Sequence, residues 1–321
     1  MANGWLGLEG KVAVVTGAAG GMGKEICREL AKQEVKIGAL DFNKEYLDAF
    51  VKELKDDFNA DVTPLVVDQT NEEQVDQAVK TMKETYGRVD IVINTAAVLR
   101  GCLFEELPLD EFKQTMDINV GGYFLVSQRF GRLMIEQGKG TMVHISTIAS
   151  QIPETYSAAY SMTKAAVNML SRQMAAEWGR LGIRSNCIMP ALVKTPMSAS
   201  FYADPEVENG RKRLTASKRI GTTMDIANAV LFLASDRSDY INGAEIPVEG
   251  GIRLMMQDMI PKPGGRRAFA KEQHDRYMEQ KAQKNKYPQK RSVCESTNNF
   301  IQLPFLSVEV TNHLSSIQES K

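Results

Sequence analysis

The sequence lacks any run of roughly 18 apolar residues, the length that a membrane-spanning helix requires. Its first ten residues are too few and too polar for a secretory signal peptide. Of 321 residues, 43% are hydrophobic and 25% are charged, a composition typical of soluble globular proteins. We therefore expect a cytoplasmic protein without a membrane partner.

Cysteine and histidine are scarce. The four cysteines and three histidines are scattered along the chain, and no two cysteines form a CxxC pair. Disulfide frameworks and His/Cys metal sites have more closely spaced ligands. The pattern favours reduced thiols, as in the cytosol, and predicts no metal site.

Charge is small overall and unevenly distributed. The formal net charge is −1, yet residues 261–291 contain ten Lys or Arg and only three Asp or Glu. Residues 1–251 are correspondingly acidic. An acidic body with a basic tail is not typical of nucleic-acid-binding proteins, so we expect no nucleic-acid partner.

Short β-branched runs alternate with longer segments that have helical spacing, for example Ile26 and Leu30. The runs lie at 11–16, 35–40, 62–67, 89–94, 141–146, 183–188 and 244–248. This alternation predicts an α/β fold of the Rossmann type, a doubly wound, seven-stranded parallel sheet with helices on both faces. Ligands of such sheets bind at the carboxyl ends of the strands.

The character of the chain changes at residues 261–265, which read PKPGG. We predict a catalytic and cofactor-binding domain over residues 1–260 and a basic, poorly ordered extension over 261–321. Within the extension, the polar stretch 266–287 is compatible with a solvated helix. The apolar stretch 298–310 is either disordered or docked on a neighbouring subunit.

A glycine-rich turn follows the first predicted strand and opens into a predicted helix. Its residues Gly17, Gly21, Met22 and Gly23 could bring the backbone close to a pyrophosphate at the helix N-terminus, where free N–H groups favour anions. An ordinary glycine-rich loop is the alternative interpretation.

Asp41 ends the second predicted strand, where a carboxylate can accept hydrogen bonds from the adenosine ribose hydroxyls and repel a 2′-phosphate. The glycine-rich turn contains no Arg or Lys before Lys24. Both features favour NAD over NADP. Asp68, after the third strand, could bind the adenine amino group or cap the next helix.

Tyr160 and Lys164 are four residues apart, so on a helix they share one face. A phenol beside an ammonium ionises or donates a proton more easily than a free phenol, whose pKa is about 10. With the glycine-rich turn, the pair indicates hydride chemistry on one domain. An uninvolved helix-surface pair is the alternative.

These features resemble the short-chain dehydrogenase/reductase family over roughly residues 7–251, with its motifs in the family's order. The motifs are TGAAGGMG (16–23), NTAA (94–97), Asn119 in DINV, IST (145–147), YSMTK (160–164), MPALVKT (189–195) and EGG (249–251). The resemblance implies an NAD-dependent enzyme that interconverts a secondary alcohol and a ketone.

By the same resemblance, Tyr160 is the general acid/base, and Lys164 lowers its pKa while holding the nicotinamide ribose. Asn119 positions a relay water, and the hydroxyl of Thr147, or of its neighbour Ser146, orients the substrate carbonyl. Thr195 binds the nicotinamide carboxamide. The remaining implied cofactor contacts are Asn94, Ala96, Pro190 and Val193.

The sequence departs from the family pattern at three positions. Thr147 stands where the family usually has Ser, and its methyl group narrows the pocket. Ala97 and Ala191 replace glycines, so both positions must have a backbone conformation that an L-residue can adopt.

For the substrate pocket we expect Arg100, Ile152 and Met197. The segments 174–186 (MAAEWGRLGIRSN) and 238–251 (SDYINGAEIPVEGG) resemble sugar-acid and polyol dehydrogenases of the family. A small hydroxylated compound is therefore the first choice of substrate. A 3-oxoacyl thioester or a hydroxysteroid also suits a mixed polar and apolar pocket. A dinucleotide-binding scaffold that recruits partners through its tail is the alternative of a different class.

The resemblance also implies a homotetramer in which helices near 108–137 and 158–181 pack across a twofold axis. The second segment has more apolar residues than one sheet face needs, which indicates an obligate interface. They are Ala165, Val167, Met169, Leu170, Met174 and Ala175.

Overall fold

The computed structural model describes residues 4–286. Its strands are β1 (Val12–Thr16), β2 (Lys36–Asp41), β3 (Val62–Val66), β4 (Ile91–Asn94), β5 (Gly140–Ile145), β6 (Ile183–Pro190) and β7 (Glu245–Val248). They form one sheet with the order β3-β2-β1-β4-β5-β6-β7, and every neighbouring pair is parallel. The predicted fold class and all seven predicted strands are confirmed.

Ten α-helices lie within the described residues. They are α1 (Gly21–Lys32), α2 (Lys44–Phe58), α3 (Glu72–Tyr86), α4 (Leu109–Met116), α5 (Gly122–Gln137), α6 (Tyr160–Trp178), α7 (Pro205–Leu214), α8 (Thr223–Ala234), α9 (Met256–Met259) and α10 (Arg266–Lys286). A π-helical turn, Asp117–Gly121, joins α4 to α5. Such turns are frequent at functional sites.

The inner strands β1, β4, β5 and β6 are buried throughout. Successive residues of a strand point to opposite sides, so these strands contribute to a core on each face of the sheet. In β1, Ala13 and Val15 pack in the core beneath α1, α2 and α8. Val12 and Val14 pack in the opposite core beneath α3, α5 and α6. Near-continuous apolar strands of this kind are what a doubly covered parallel sheet requires.

Side-chain caps start several of the helices. Asn43 accepts a hydrogen bond from the Tyr46 N–H at the start of α2, and Asn71 accepts one from the Gln74 N–H at the start of α3. The alternative role of Asp68 as the cap of α3 is therefore wrong, because Asn71 occupies that position. Helix α1 differs, since Gly20 precedes it and supplies no side-chain cap.

The chain divides into two units after Ile260. The second unit contains α10, whose described side chains are exposed apart from a half-buried Phe269. This is the solvated helix predicted over 266–287. The prediction for 298–310 lies outside the described residues. Among those that are described, no helix combines the length and apolar character of a membrane span.

Candidate active site

A cavity of about 660 Å³ opens at the carboxyl ends of the strands. It lies next to β1 and β4, the two adjacent strands after which the chain continues in opposite directions along the sheet. Its volume is in the range of cofactor and small-molecule sites. The predicted residues that line it are Gly17, Gly21, Met22, Gly23, Asp41, Asp68, Ala96, Arg100, Ser146, Thr147, Tyr160, Lys164, Pro190, Thr195 and Met197. The structure thus brings most of the predicted site into one space.

The glycine-rich turn needs glycine at two positions for steric reasons. Gly17 has a φ of +62°, which L side chains rarely adopt. A Cβ at Gly23 would lie 2.1 Å from the Gly17 carbonyl oxygen. The first turn of α1 therefore packs directly on the turn that precedes it.

The start of α1 suits an anion. Because Gly20 gives no side-chain cap, the first backbone N–H groups of the helix have no side-chain acceptor there, and Gly20, Gly21 and Met22 line the cavity. Free N–H groups and the helix dipole both favour a phosphate at this place. The residues present therefore fit a dinucleotide pyrophosphate.

Asp41 connects β2 to the glycine-rich turn. Its carboxylate accepts hydrogen bonds from the backbone N–H of Ala19 at 3.1 Å and of Asn43 at 3.0 Å, and its side chain is mostly buried at the cavity wall. Two lysines that are close in sequence to the glycine-rich turn and to Asp41 have other contacts. Lys24 lies over the Phe50 ring, 5.3 Å from its centroid, and Lys44 pairs with Asp48.

Next to Asp41 in the cavity wall are Asp68 and Gln69. The Asp68 carboxylate accepts hydrogen bonds from the Thr70 N–H at 2.9 Å and the Thr70 hydroxyl at 2.8 Å. Gln69, which the sequence did not reveal, donates from Nε2 to the carbonyls of Ala96 at 3.2 Å and Ile118 at 2.8 Å. It thereby joins the end of β3 to the end of β4 and the π-helical turn.

Tyr160 is the first residue of α6 and Lys164 lies one turn later, on the same face as predicted. The Lys164 Nζ lies 5.8 Å from the centroid of the Tyr160 ring. It donates to the Ile145 carbonyl at 2.8 Å and to the Tyr123 hydroxyl at 3.2 Å. Burial lowers the pKa of Lys164 to about 7.

The pKa of Tyr160 is raised, first by burial and second by the charge of Glu154. Burial thus outweighs any lowering of this pKa by Lys164, which the sequence predicted. The physical reason is that the surrounding protein withholds water from the phenolate, while the ammonium is hydrogen-bonded to Ile145 and Tyr123.

Asn119 lies in the π-helical turn and is fully buried. Its Oδ1 accepts from the Val98 N–H at 2.8 Å, and its Nδ2 donates to the Val98 carbonyl at 2.9 Å and the Thr163 hydroxyl at 3.1 Å. The side chain therefore fixes the loop after β4 against α6 and does not line the cavity.

Thr147 and Ser146 follow β5 and have different surroundings. The Thr147 hydroxyl donates to the Pro190 carbonyl at 3.3 Å and accepts from the Ala149 N–H at 3.2 Å, and the residue is half-buried. Ser146 is 2% exposed and donates to the Lys164 carbonyl at 3.3 Å. Of the two hydroxyls, that of Thr147 is more accessible to a substrate.

Three other predicted site residues do not line the cavity. Asn94 is buried, and its Nδ2 contacts Ser127 at 2.9 Å and His144 at 3.1 Å. Val193 belongs to the hydrophobic core, and Ile152 is 46% exposed.

The two alanines that replace family glycines cause no backbone strain. The described non-glycine residues with positive φ are Glu34, Asn59, Tyr156, Ala158 and Lys218. Ala97 and Ala191 line the cavity with ordinary φ values, as predicted.

The chain belongs to the short-chain dehydrogenase/reductase family. A family model described as Enoyl-(Acyl carrier protein) reductase matches residues 17–253. The protein is therefore an oxidoreductase of this family that acts on CH–OH groups with a nicotinamide dinucleotide.

Three similar proteins differ in the substrates and cofactors that their names give. D-threitol dehydrogenase of Mycolicibacterium smegmatis is 36% identical over 77% of this chain and 94% of its own length. The structure of a gluconate 5-dehydrogenase from Burkholderia cenocepacia in complex with NADP and tartrate is 30% identical, with a TM-score of 0.73 over 77% of this chain and 96% of that one. An NAD+-bound xylitol dehydrogenase is 28% identical, with a TM-score of 0.72 over 76% of this chain and 99% of that one.

Proposed function

We propose that this protein is an NAD(H)-dependent dehydrogenase that interconverts a secondary alcohol and a ketone of a small hydroxylated compound, a polyol, sugar or sugar acid. The observation that carries the proposal is the sharing of one cavity. Tyr160, Lys164 and Thr147 line the same space as the glycine-rich turn and Asp41. Proton-transfer groups and dinucleotide-binding groups are therefore within reach of one substrate.

The residues have distinct roles in alcohol oxidation. The Thr147 hydroxyl donates a hydrogen bond to the substrate oxygen, and Tyr160 takes the hydroxyl proton as general base. Lys164 holds its positive charge beside the phenol and binds the nicotinamide ribose. A bound oxidised nicotinamide would supply the hydride acceptor. In the reverse direction Tyr160 returns its proton to the carbonyl oxygen.

The preference for NAD is supported by Asp41. Its carboxylate is fixed by two backbone N–H groups at the end of β2, and Lys24 and Lys44 have other partners. A 2′-phosphate would place negative charge against this carboxylate without a cation to neutralise it.

The substrate class is supported by the names of the similar proteins, which include threitol and gluconate dehydrogenases. The cavity wall combines the polar Arg100 and Gln114 with the apolar Val98 and Met197. The Arg100 guanidinium donates to the Gln114 amide oxygen at 2.6 Å. A polar and apolar mixture of this kind also leaves a 3-oxoacyl thioester or a hydroxysteroid as alternatives.

The test is a substrate panel measured with NAD at neutral and at alkaline pH. It should contain polyols, aldonic acids, 3-hydroxyacyl thioesters and hydroxysteroids, with NADH formation as the readout. Turnover of polyols or aldonic acids supports the proposal. Turnover of only 3-hydroxyacyl thioesters or hydroxysteroids would mean that the proposed substrate class is wrong. Tight NAD binding with no turnover in either direction would favour the scaffold.

We also propose a homotetramer. On α6, Val167, Met174 and Ala175 are buried by the protein's own core, whereas Met169 is 54% exposed. Met162, Ala165 and Met169 share one exposed helix face at spacings of three and four residues, which leaves an apolar stripe for a second subunit. Light scattering on Met169→Lys should show loss of assembly. A chain truncated after Ile260 should stay tetrameric with an unchanged melting temperature.

A further inference from the structure

One of the groups that hold the Lys164 ammonium, the Tyr123 hydroxyl, lies outside the family motifs. Lys164 is 1% exposed. Its Nζ donates to the Ile145 carbonyl at 2.8 Å and the Tyr123 hydroxyl at 3.2 Å, and it lies 4.7 Å from the centroid of the Tyr123 ring. An ammonium has three donors, so these contacts leave one for the cavity.

Tyr123 is on the first turn of α5 and is fully buried. Its hydroxyl donates to the Ile145 carbonyl at 3.2 Å and accepts from the Lys164 Nζ. Burial of a phenol hydroxyl is costly unless it is hydrogen-bonded. One partner is the Lys164 ammonium, and the other is the Ile145 carbonyl that also accepts from this ammonium. The hydrogen bonds of the Tyr123 hydroxyl are therefore all made at Lys164.

We propose that Tyr123 is a positioning residue for Lys164, whose hydroxyl and ring fix the ammonium between β5 and Tyr160 and stabilise its charged form. The proposal rests on the proposed roles of Tyr160 and Lys164. Tyr123 acts through Lys164, without contact to the substrate.

The titratable groups around Lys164 provide little opposite charge. From β5, His144 is neutral because burial lowers its pKa to about 3, with the charge of Lys164 adding to the effect. From β6, the Cys187 thiol is neutral because burial raises its pKa, and the Tyr123 and Tyr160 phenols are neutral for the same reason. The ammonium therefore depends on dipolar acceptors, of which the Tyr123 hydroxyl is one.

Tyr123→Phe removes that acceptor and keeps the ring. The charged form of Lys164 then loses a hydrogen bond, so its pKa should fall by about one unit. The pKa of Tyr160 should rise in turn, because it faces less positive charge. Because alcohol oxidation needs an ionised Tyr160 and a charged Lys164, the fraction of active enzyme should decrease and turnover at the pH optimum should fall.

The direct experiment follows the lysine Cε signals by NMR in protein that contains ¹³C-labelled lysine, across a pH titration with and without NAD. Lys164→Arg assigns the signal. Tyr123→Phe should lower the midpoint of Lys164, and Tyr123→Met, which removes the ring as well, should lower it further. Equal midpoints in the wild type and both variants would overturn the proposal.

Tyr86→Phe is the matched control, because the Tyr86 hydroxyl binds Asp61 and Thr63 beside β3 and not Lys164. It should leave the Lys164 midpoint and the pH profile unchanged. A lowered melting temperature with an unmoved midpoint would mean that Tyr123 is only a packing residue. The titration does not need turnover, so it judges Tyr123 even if the substrate panel disproves the proposed function.

Discussion

The Asp41 carboxylate accepts a hydrogen bond from the backbone N–H of Ala19, 3.1 Å away. This contact joins the end of β2 to the glycine-rich turn and directs the carboxylate into the cavity. The charge that would meet an adenosine ribose is therefore held in place before any cofactor binds.

We expect NAD(H) to be preferred over NADP(H) by at least about tenfold in kcat/KM, since a charge repulsion of ~1.4 kcal/mol suffices for that ratio. Asp41→Asn removes the charge at nearly constant volume and should narrow the preference. Asp68→Asn is the control, because it should affect both cofactors equally. Equal kcat/KM values for NAD and NADP in the wild type would contradict the assignment.

Tyr160→Phe should lower kcat by ~10²–10⁴, the usual contribution of general acid–base catalysis, because it removes the proton-transfer group. NAD affinity, measured by calorimetry, should remain close to that of the wild type. Tyr240→Phe, at a fully exposed tyrosine, should change neither quantity. A variant that kept a tenth of wild-type turnover would mean that another residue transfers the proton.

Thr147→Val should reduce kcat strongly because it removes the accessible hydroxyl at similar volume. Thr147→Ser keeps the hydroxyl and removes the methyl group, so it should retain activity and accept bulkier ketones. Ser146→Ala should have a smaller effect, since that hydroxyl is buried against the Lys164 carbonyl. If only Ser146→Ala damages kcat, the carbonyl-orienting group is Ser146.

Gly23→Ala should destabilise the protein by roughly 1–3 kcal/mol, the typical cost of overpacking, and weaken NAD binding. Its Cβ would lie 2.1 Å from the Gly17 carbonyl, so the turn must move. Gly210→Ala is the matched control in α7, where the nearest heavy atom to the added Cβ is 3.8 Å away. Chemical denaturation and calorimetry should separate the two. Similar stabilities would show that the turn can relax.

Acid should destabilise the protein through His144. Burial lowers its folded-state pKa to about 3, while the unfolded chain binds the proton near pH 6.5. This contribution is complete above pH 6.5 and is lost as the pH falls towards 3, with a slope of up to ~1.4 kcal/mol per pH unit. Urea unfolding at several pH values should show a smaller slope for His144→Asn. His274→Asn, at an exposed position of α10, should keep the wild-type slope.

The sequence by itself determined the sheet and the pair of side chains proposed for catalysis. The strands were predictable because a sheet covered on both faces needs continuous apolar runs. Tyr160 and Lys164 were predictable because a separation of four residues places them on one helix face. Asp41 was predictable because it ends a strand at the edge of the sheet where parallel sheets bind their ligands.

Only the tertiary structure decided how these side chains are held. Tyr123 meets Lys164 across 41 residues, and Gln69 meets Ile118 across 49; no local pattern marks such pairs. The structure also turned Asn119 towards Val98, and it raised the pKa of Tyr160 where the sequence predicted a fall. Both outcomes depend on burial and on contacts between distant segments, which the spacing of residues along a chain does not contain.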